Sequence, residues 1–176
     1  RTADIWFASV QKCFGLPAGM AIMILSPKAV ERAYRLDRRM PYNALIRILE
    51  NSRKNQTHYT PNVLNMYLLY RTQRTSKGIE AQHAKTLKRF NNWSQLIDQL
   101  PNLNWLVKNE AVRSPTVLPL VTKNVDKLKK ATKEKGFVLG DGYAQWKDST
   151  IRIANFPAIK GKEIERLAKF LRRYYP

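Results

Sequence analysis

The sequence predicts an α/β fold from three observations. The chain has 176 residues, of which 44% are apolar or aromatic, so it can form a hydrophobic core of ordinary size. Short apolar runs bounded by glycine and proline, which are typical of strands, alternate with longer segments whose apolar residues recur every three or four positions, as in helices. No segment is repeated or of low complexity.

Residues 1–91 are predicted to form the first of two domains. Its elements are, in order, a strand at 5–10, a loop at 13–19, a strand at 20–25, helices at 27–36 and 42–50, a loop at 51–59 and a helix from Thr60 onward. Pro27 lies in the first turn of its helix, where a backbone N–H is not needed. Thr60 precedes Pro61, and a threonine N-cap followed by proline is a common helix start.

Residues 92–176 are predicted to form a second, smaller α/β domain, with the boundary near Asn91 inside a long amphipathic helix. The elements are that helix at 79–100, strands at 105–108 and 112–121, a helix at 124–135, a strand at 137–139, a turn at 140–142, a strand at 150–155 and a helix at 160–173. The helical period places Leu128 in one helix, and Leu167 and Leu171 in another, on faces that would be buried.

The chain is strongly basic. Lys and Arg number 32 and Asp and Glu number 13, which gives a net charge of +19. Such a charge favours a polyanionic partner: nucleic acid, an anionic membrane or a phosphorylated small molecule. The cations are spread over nearly every predicted element, and no zinc-finger, RRM or KH pattern accompanies them. A basic, non-enzymatic module that binds nucleic acid is therefore kept as an alternative hypothesis.

Two features of the sequence indicate the cellular compartment. Cys13 is the one cysteine of the chain, so no intrachain disulfide can form, which is typical of a reducing compartment. The longest apolar run, 20–25, is too short to span a bilayer. We therefore expect a cytoplasmic protein that does not act at a membrane.

Lys12 is the first candidate for chemistry, because it follows an apolar strand and precedes a loop rich in glycine and proline. Ligands of open α/β sheets bind beyond the carboxyl ends of strands. A lysine that is partly desolvated there can use its neutral amine to attack a carbonyl carbon. A solvated lysine at a strand end is the more common situation, so the residues alone leave both interpretations open.

Residues 9–19 resemble the segment that carries the cofactor lysine in class V (fold type I) PLP-dependent aminotransferases, most closely the phosphoserine aminotransferases. Three further segments resemble the family in the same order along the chain: 58–62, 113–117 and 149–157. The resemblance implies the end of a large, mostly parallel-sheet domain that binds the cofactor, followed by a small C-terminal α/β domain. It also implies that the chain is the C-terminal half of a longer protein and is inactive alone.

The resemblance implies a set of site residues for pyridoxal 5'-phosphate. Lys12 would bind the cofactor covalently and later carry the proton at the substrate carbon, and Gln11 would contact the cofactor phosphate. Thr60 would reach across a homodimer interface to the phosphate of the partner's cofactor. A helix N-terminus with a hydroxyl cap is in any case suited to an anion. Tyr59 stands where the family usually has an asparagine, and it is counted among the cofactor-binding candidates. No metal site is assigned.

Arg152 is the candidate for substrate binding. Strand alternation directs its side chain away from the face of Ile151 and Ile153, toward solvent or a cleft. The resemblance implies that it holds the α-carboxylate of the amino acid in a bidentate pair. The segment 140–147 lacks the His-Arg pair with which phosphoserine aminotransferases bind the substrate phosphate. Lys147 is the cation of this segment that could take the place of the pair as a point charge.

The implied reaction is transamination between L-glutamate and 3-phosphohydroxypyruvate, which yields 2-oxoglutarate and phosphoserine and belongs to serine biosynthesis. A class V enzyme that acts on an unphosphorylated amino acid is the alternative within the same family.

Overall fold

The computed structural model describes residues 3–175, and the chain divides into two compact units between Thr75 and Ser76. The sequence predicted the division near Asn91, inside the long helix α4 (Ile79–Asp98). The whole of this helix groups with the second unit. The reason is that residues before position 91 already belong there: Phe90 packs on the core of that unit, and the Thr86 carbonyl accepts a hydrogen bond from the Asn155 amide.

The first unit contains a two-stranded sheet and three helices. Its elements are β1 (Ile5–Ser9), β2 (Ala21–Leu25), α1 (Pro27–Leu36), α2 (Leu45–Arg53) and α3 (Val63–Thr75). Both strands and α1 lie where the sequence predicted them, and α2 begins and ends three residues later than expected. The strands pair antiparallel, so the parallel pairing implied for the large domain is not found among residues 3–175.

The start of α3 differs from the prediction. Thr60 was expected to cap this helix, but the cap is Asn62, whose side-chain oxygen accepts a hydrogen bond from the Asn65 N–H at 3.0 Å. The prediction was wrong because Thr60-Pro61-Asn62 offers two capping side chains, and asparagine is at least as good an N-cap as threonine. Thr60 therefore lies two residues before the cap, outside regular secondary structure.

The second unit packs three helices and a four-stranded antiparallel sheet around one core. After α4 its elements are β3 (Asn104–Trp105), β4 (Val117–Val121), α5 (Val125–Glu134), β5 (Gly140–Asp141), β6 (Thr150–Ala154) and α6 (Gly161–Tyr174), with strand order β3-β4-β6-β5. The predicted strand at 112–121 is shorter, because Glu110–Val112 forms a 3-10 turn capped by the Asn109 side chain. The predicted turn at 140–142 holds β5 instead, and 137–139 is irregular.

The core of the second unit confirms the helical faces expected from the sequence. Leu128 and Leu171 are fully buried and Leu167 nearly so, against Leu118 and Ile151 of the sheet. Burial of such a side chain stabilises a fold by roughly 1.5–3 kcal/mol. The first unit buries fewer side chains, and both faces of its hairpin remain accessible. Among the helices described, none is both long and apolar enough to cross a membrane.

Candidate functional site

Lys12 lies in a tight turn directly after β1. The turn is closed by a hydrogen bond from the Gly15 N–H to the Lys12 carbonyl at 3.0 Å. At its base, the N–H of the buried Val10 donates to the Met20 carbonyl at 3.2 Å, and the Leu16 N–H donates to the Val10 carbonyl at 3.1 Å. The end of the strand and the following loop therefore hold the lysine backbone in a fixed place.

The Lys12 side chain is exposed, as are its neighbours Gln11 and Cys13. The partial desolvation expected for this lysine is therefore not provided by the first unit. The physical reason is that the turn projects beyond Val10 and Leu16, which are the residues that the hairpin and loop bury.

The lysine loop and the start of α3 are joined by Asn65. This side chain is only 1% exposed, and its amide donates to the Pro17 carbonyl at 3.0 Å and to the Ala18 carbonyl at 3.4 Å. Gly19 adopts a φ of +114°, and a Cβ at this position would come within 3.3 Å of the Asn62 amide. Two of the four segments that carry the family resemblance are therefore packed together in the first unit.

Tyr59 and Thr60 lie in the irregular segment that precedes α3, and both are exposed. The Tyr59 ring stacks on Tyr42, with centroids 4.5 Å apart and planes within 9° of each other, and its hydroxyl donates to the Tyr42 carbonyl at 3.1 Å. Desolvation of the phenol by this packing, together with its hydrogen bond to Tyr42, raises the pKa of Tyr59. Tyr59 thus has a partner within the chain, whereas Thr60 has none among residues 3–175.

Arg152 lies at the centre of β6, and the alternation expected from the sequence is confirmed. Ile151 and Ile153 are buried, while the Arg152 side chain leaves the opposite face of the sheet. Its Nε donates to the Asp141 carbonyl at 2.5 Å, and its guanidinium lies 4.0 Å from the centroid of the Tyr143 ring. A backbone carbonyl and an aromatic face therefore hold the arginine in one orientation.

The Asp141 carboxylate, next to Arg152, is paired with Lys129 of α5. This pairing lowers the pKa of Asp141, with smaller contributions from the positive charges of Lys147 and Arg152. Lys147 itself is exposed in the turn that follows. Gly142 has no room for a side chain, because a Cβ there would meet the Trp146 carbonyl oxygen at 2.2 Å.

The chain is similar in sequence and in fold to aminotransferases. No protein-family model matches it. It is 27% identical over 180 residues to the phosphoserine aminotransferase of Corynebacterium glutamicum (strain R), and 26% identical over 179 residues to that of Nocardioides sp.. These matches cover 95% and 96% of this chain, and 47% and 48% of the relatives. The chain thus spans about half the length of the curated relatives it matches.

Solved structures agree with these relatives. A phosphoserine aminotransferase from Cytophaga hutchinsonii superposes with a TM-score of 0.87 at 29% identity, over 98% of this chain and 50% of that one. The chain has an aminotransferase fold. An alanine–glyoxylate aminotransferase from Nostoc sp. shares the fold at a TM-score of 0.71, with 20% identity over 97% of this chain and 47% of that one. The expected resemblance to the C-terminal half of PLP-dependent class V aminotransferases is confirmed.

Asn155 is a structural residue of this aminotransferase fold to which the sequence assigned no role. It is fully buried, and its amide donates to the Pro115 carbonyl at 2.8 Å and to the Thr86 carbonyl at 3.1 Å. It joins the segments 113–117 and 149–157, which are the other two that carry the resemblance. An asparagine directly after an apolar strand is the one local signal that could have indicated it.

The sequence likewise assigned no role to Asn65 or Arg113. The signal for Asn65 is a single polar residue within the apolar start of α3. Arg113 was part of a resembling segment without an assigned role. Its Nε donates to the Val107 carbonyl at 2.9 Å, and its guanidinium lies 4.5 Å from the centroid of the Trp105 ring, so it fixes the loop before β4.

Proposed function

We propose that the protein is a PLP-dependent phosphoserine aminotransferase. It transfers the amino group of L-glutamate to 3-phosphohydroxypyruvate, and 2-oxoglutarate and phosphoserine are formed. The observation that carries the proposal is the match to the Cytophaga hutchinsonii enzyme over 98% of this chain, at 29% identity and a TM-score of 0.87. The single, exposed Cys13 supports a cytoplasmic location.

The side chains of the first unit fit pyridoxal 5'-phosphate. Lys12 offers an exposed amine that has no hydrogen-bond or ion-pair partner among residues 3–175, and Gln11 and Thr60 offer an exposed amide and hydroxyl. Lys12 would hold the cofactor covalently, Gln11 would contact its phosphate and Tyr59 would be a further contact, while Thr60 would serve the cofactor of the partner subunit. When bound, the cofactor supplies an electrophilic carbon that accepts the amino group and an electron sink for the substrate carbanion.

Lys12 also moves the proton in the proposed reaction. With its amine free, Lys12 would remove the proton from the substrate Cα as a general base. The hydrogen bonds at the base of the turn fix the Lys12 backbone. The amine can therefore move only as far as the lysine side chain reaches. A general base must lie within hydrogen-bond reach of the proton that it removes, and a fixed Lys12 backbone limits how far the amine can move from the substrate Cα.

Arg152 binds the α-carboxylate of the substrate. With Nε occupied by the Asp141 carbonyl, its two terminal nitrogens have no partner among residues 3–175, and they present the fork that a carboxylate accepts in a bidentate pair. The Asp141 carboxylate is paired with Lys129, which reduces its competition for the same guanidinium. A carboxylate held by two hydrogen bonds fixes the direction of the Cα–H bond.

We further propose that the enzyme is a homodimer in which Thr60 reaches the phosphate of the partner's cofactor. The support is the surface next to Thr60: Val63 and Leu64, at the start of α3, are 66% and 64% exposed, and Tyr67 is 55% exposed. Contiguous apolar residues on a surface mark sites of protein association.

Reduction with borohydride tests the cofactor assignment. We expect the protein at its natural full length to be yellow with pyridoxal phosphate, and borohydride to fix the cofactor to the peptide that contains Lys12. Lys12→Arg should abolish the label, whereas Lys28→Arg, at another exposed lysine of the first unit, should retain it. Labelling of a different peptide, or of none at saturating cofactor, would refute the proposed role of Lys12.

The alternative within the family is an enzyme for an unphosphorylated amino acid. The observation that favours it is the segment 140–147, which carries Asp141 and Lys147 but no His-Arg pair. A panel of amino donors decides between the two. Phosphoserine should give the highest kcat/KM, and Lys147→Gln should raise the KM for phosphoserine more than the KM for glutamate. A preference for serine, alanine or aspartate over phosphoserine would establish the alternative.

A further inference from the structure

The helices α4 and α6 enclose a groove within the second unit. Its volume is about 530 Å³, which lies in the range of small-molecule sites. The lining positions on both helices follow the helical period: 85, 88, 89, 92, 93, 95 and 96 on α4, with Gln99 directly after it, and 161, 164, 165, 168, 169 and 172 on α6. The groove is thus formed by one face of each helix. It includes none of the residues assigned above to cofactor or substrate.

The rim of the groove is strongly cationic. The lining cations are Lys85, Lys88, Arg89, Lys169 and Arg172, and the one lining carboxylate is Glu165. None of these five cations is ion-paired within the part of the chain that the structure describes, although Arg39, Arg113, Lys28 and Lys129 are. A cleft lined by one sign of charge attracts ligands of the opposite sign.

Two buried donors in the lining have no partner. The Nη1 of Arg89 and the Nε1 of Trp93 are inaccessible to solvent, and neither has a hydrogen bond to any residue in 3–175. Trp93 is 2% exposed. A buried donor left unpaired is costly, and native proteins satisfy the great majority of such groups with protein, water or a ligand.

Apolar side chains form the remaining wall. Leu96 of α4 and Ile164 and Ala168 of α6 line the groove between the cations. We propose that this groove binds a small organic phosphate. The phosphate accepts hydrogen bonds from Arg89 and the rim cations, and the apolar part of the ligand packs on Leu96 and Ile164. The chemistry matches a phosphorylated metabolite, since a free ion would leave the apolar wall uncovered.

The position of the unpaired donors favours a small ligand over a nucleic-acid backbone. Arg89 and Trp93 line the groove, and their Nη1 and Nε1 atoms are buried, so a group that stays on the rim does not contact them. A polymer that rests on the rim would contact Lys169 and Arg172, which are exposed, and would leave these donors unpaired.

Calorimetric titration tests the proposal with matched ligands. The probes are AMP and glycerol 3-phosphate, each compared with its dephosphorylated form, adenosine or glycerol, at 150 mM ionic strength (about physiological). The protein is used at its natural full length and is first saturated with pyridoxal phosphate, so that the cofactor's own phosphate site is filled. We expect at least one phosphate to bind, and at least tenfold more tightly than its dephosphorylated form.

The variants separate the groove from the general charge. Lys169→Gln combined with Arg172→Gln should weaken binding at least tenfold, because it removes two rim cations. Lys162→Gln combined with Arg173→Gln removes two exposed cations of the same helix that do not line the groove, and should change affinity less than twofold. Both double variants should retain the absorbance of the Lys12-bound cofactor, which keeps this test independent of the proposed activity.

Three results would overturn the proposal. The first is that neither phosphate binds at millimolar concentration. The second is that the two double variants weaken binding equally, which would assign the effect to diffuse charge. The third is that a short oligothymidylate binds more tightly than both probes and displaces them, which would assign the groove to nucleic acid.

Discussion

Asn65→Leu tests whether the buried amide of α3 holds the lysine loop. The substitution keeps the approximate volume of the side chain but removes the hydrogen bonds to the Pro17 and Ala18 carbonyls, at 3.0 and 3.4 Å. The first of these is a bond of ordinary length, worth about 1 kcal/mol net, and leaving its carbonyl unpaired adds about 1 kcal/mol. The higher helix propensity of leucine returns roughly 0.4 kcal/mol. The loop should therefore be destabilised by about 1.5 kcal/mol.

Amide hydrogen exchange on the full-length protein measures this local loss. A change of about 1.4 kcal/mol is a factor of ten, so the amides of Val10 and Leu16 should exchange about tenfold faster in Asn65→Leu. Both amides close the base of the Lys12 turn, through hydrogen bonds of 3.2 and 3.1 Å. The affinity for pyridoxal phosphate should fall in the same variant, because the amine is then less well positioned.

The matched control is Asn91→Leu, the same substitution at an exposed position of α4. We expect its effect on exchange to be within about 0.5 kcal/mol, and the amides of β4 and β6 should be unaffected in both variants. If the Val10 and Leu16 amides in Asn65→Leu exchange at the wild-type rate, the buried amide does not stabilise the loop. The structural basis for placing Lys12 would then be wrong.

Three further predictions concern single side chains. Asn62→Ala should cost about 1 kcal/mol of α3 stability as a lost N-cap, while Thr60→Ala should leave α3 unchanged and raise the dissociation constant of pyridoxal phosphate; hydrogen exchange and a cofactor titration measure the two effects. Tyr143→Leu removes the aromatic face from Arg152, so steady-state kinetics should show a higher KM for amino-acid substrates with kcat nearly unchanged. The pKa of Asp141 is lowered in the folded state, so its contribution to stability is present above the unfolded value of about 3.8 and is lost as the pH falls through the folded value. Between pH 6 and pH 3, the urea midpoint of the wild type should therefore approach that of Asp141→Asn, and a constant difference would contradict the pairing.

The sequence predicted what depends on local patterns. Pro27 starts α1 as expected, because proline is favoured in the first turn and Ser26 is a good cap next to it. The Arg152 side chain leaves the sheet opposite Ile151 and Ile153, because alternation in a strand is a local rule. Lys12 could likewise be placed at the end of a strand from the run that precedes it.

Contacts that are distant along the chain could not be predicted. The Asn65 bonds span 47 and 48 residues, and the Asn155 bond to Thr86 spans 69. Nothing in the local pattern shows which carbonyls such an amide will meet. The two compact units divide between Thr75 and Ser76 rather than near Asn91 for a related reason. The helical period of α4 runs unbroken through Asn91, and only its packing shows that the whole helix belongs to the second unit.

The groove between α4 and α6 likewise could not be predicted, because it depends on contacts that are distant along the chain. Its lining contains some of the cations that give the chain its net charge of +19. The sequence shows Lys85, Lys88 and Arg89 as cations on one helix and Lys169 and Arg172 as cations on another. Each set alone is the solvated face of an amphipathic helix, and this is the interpretation that composition favours. Only the packing of the two helices turns those faces toward one cavity with unpaired donors in its wall. Charge that seemed diffuse along the chain is therefore, in part, concentrated in space.

The two units also differ in what stabilises them, and this bears on the proposed function. The second unit buries a continuous core between its sheet and helices, so it holds Arg152 without help from a ligand. In the first unit, Trp6, Phe7 and Ile24 of the hairpin are 56%, 69% and 62% exposed, and a two-stranded hairpin alone is marginally stable. A cofactor at 100 times its dissociation constant adds about 2.7 kcal/mol to the state that binds it. Under the proposed function, that free energy acts on the unit that carries Lys12 and Thr60, where it exceeds the roughly 1.5 kcal/mol assigned to Asn65.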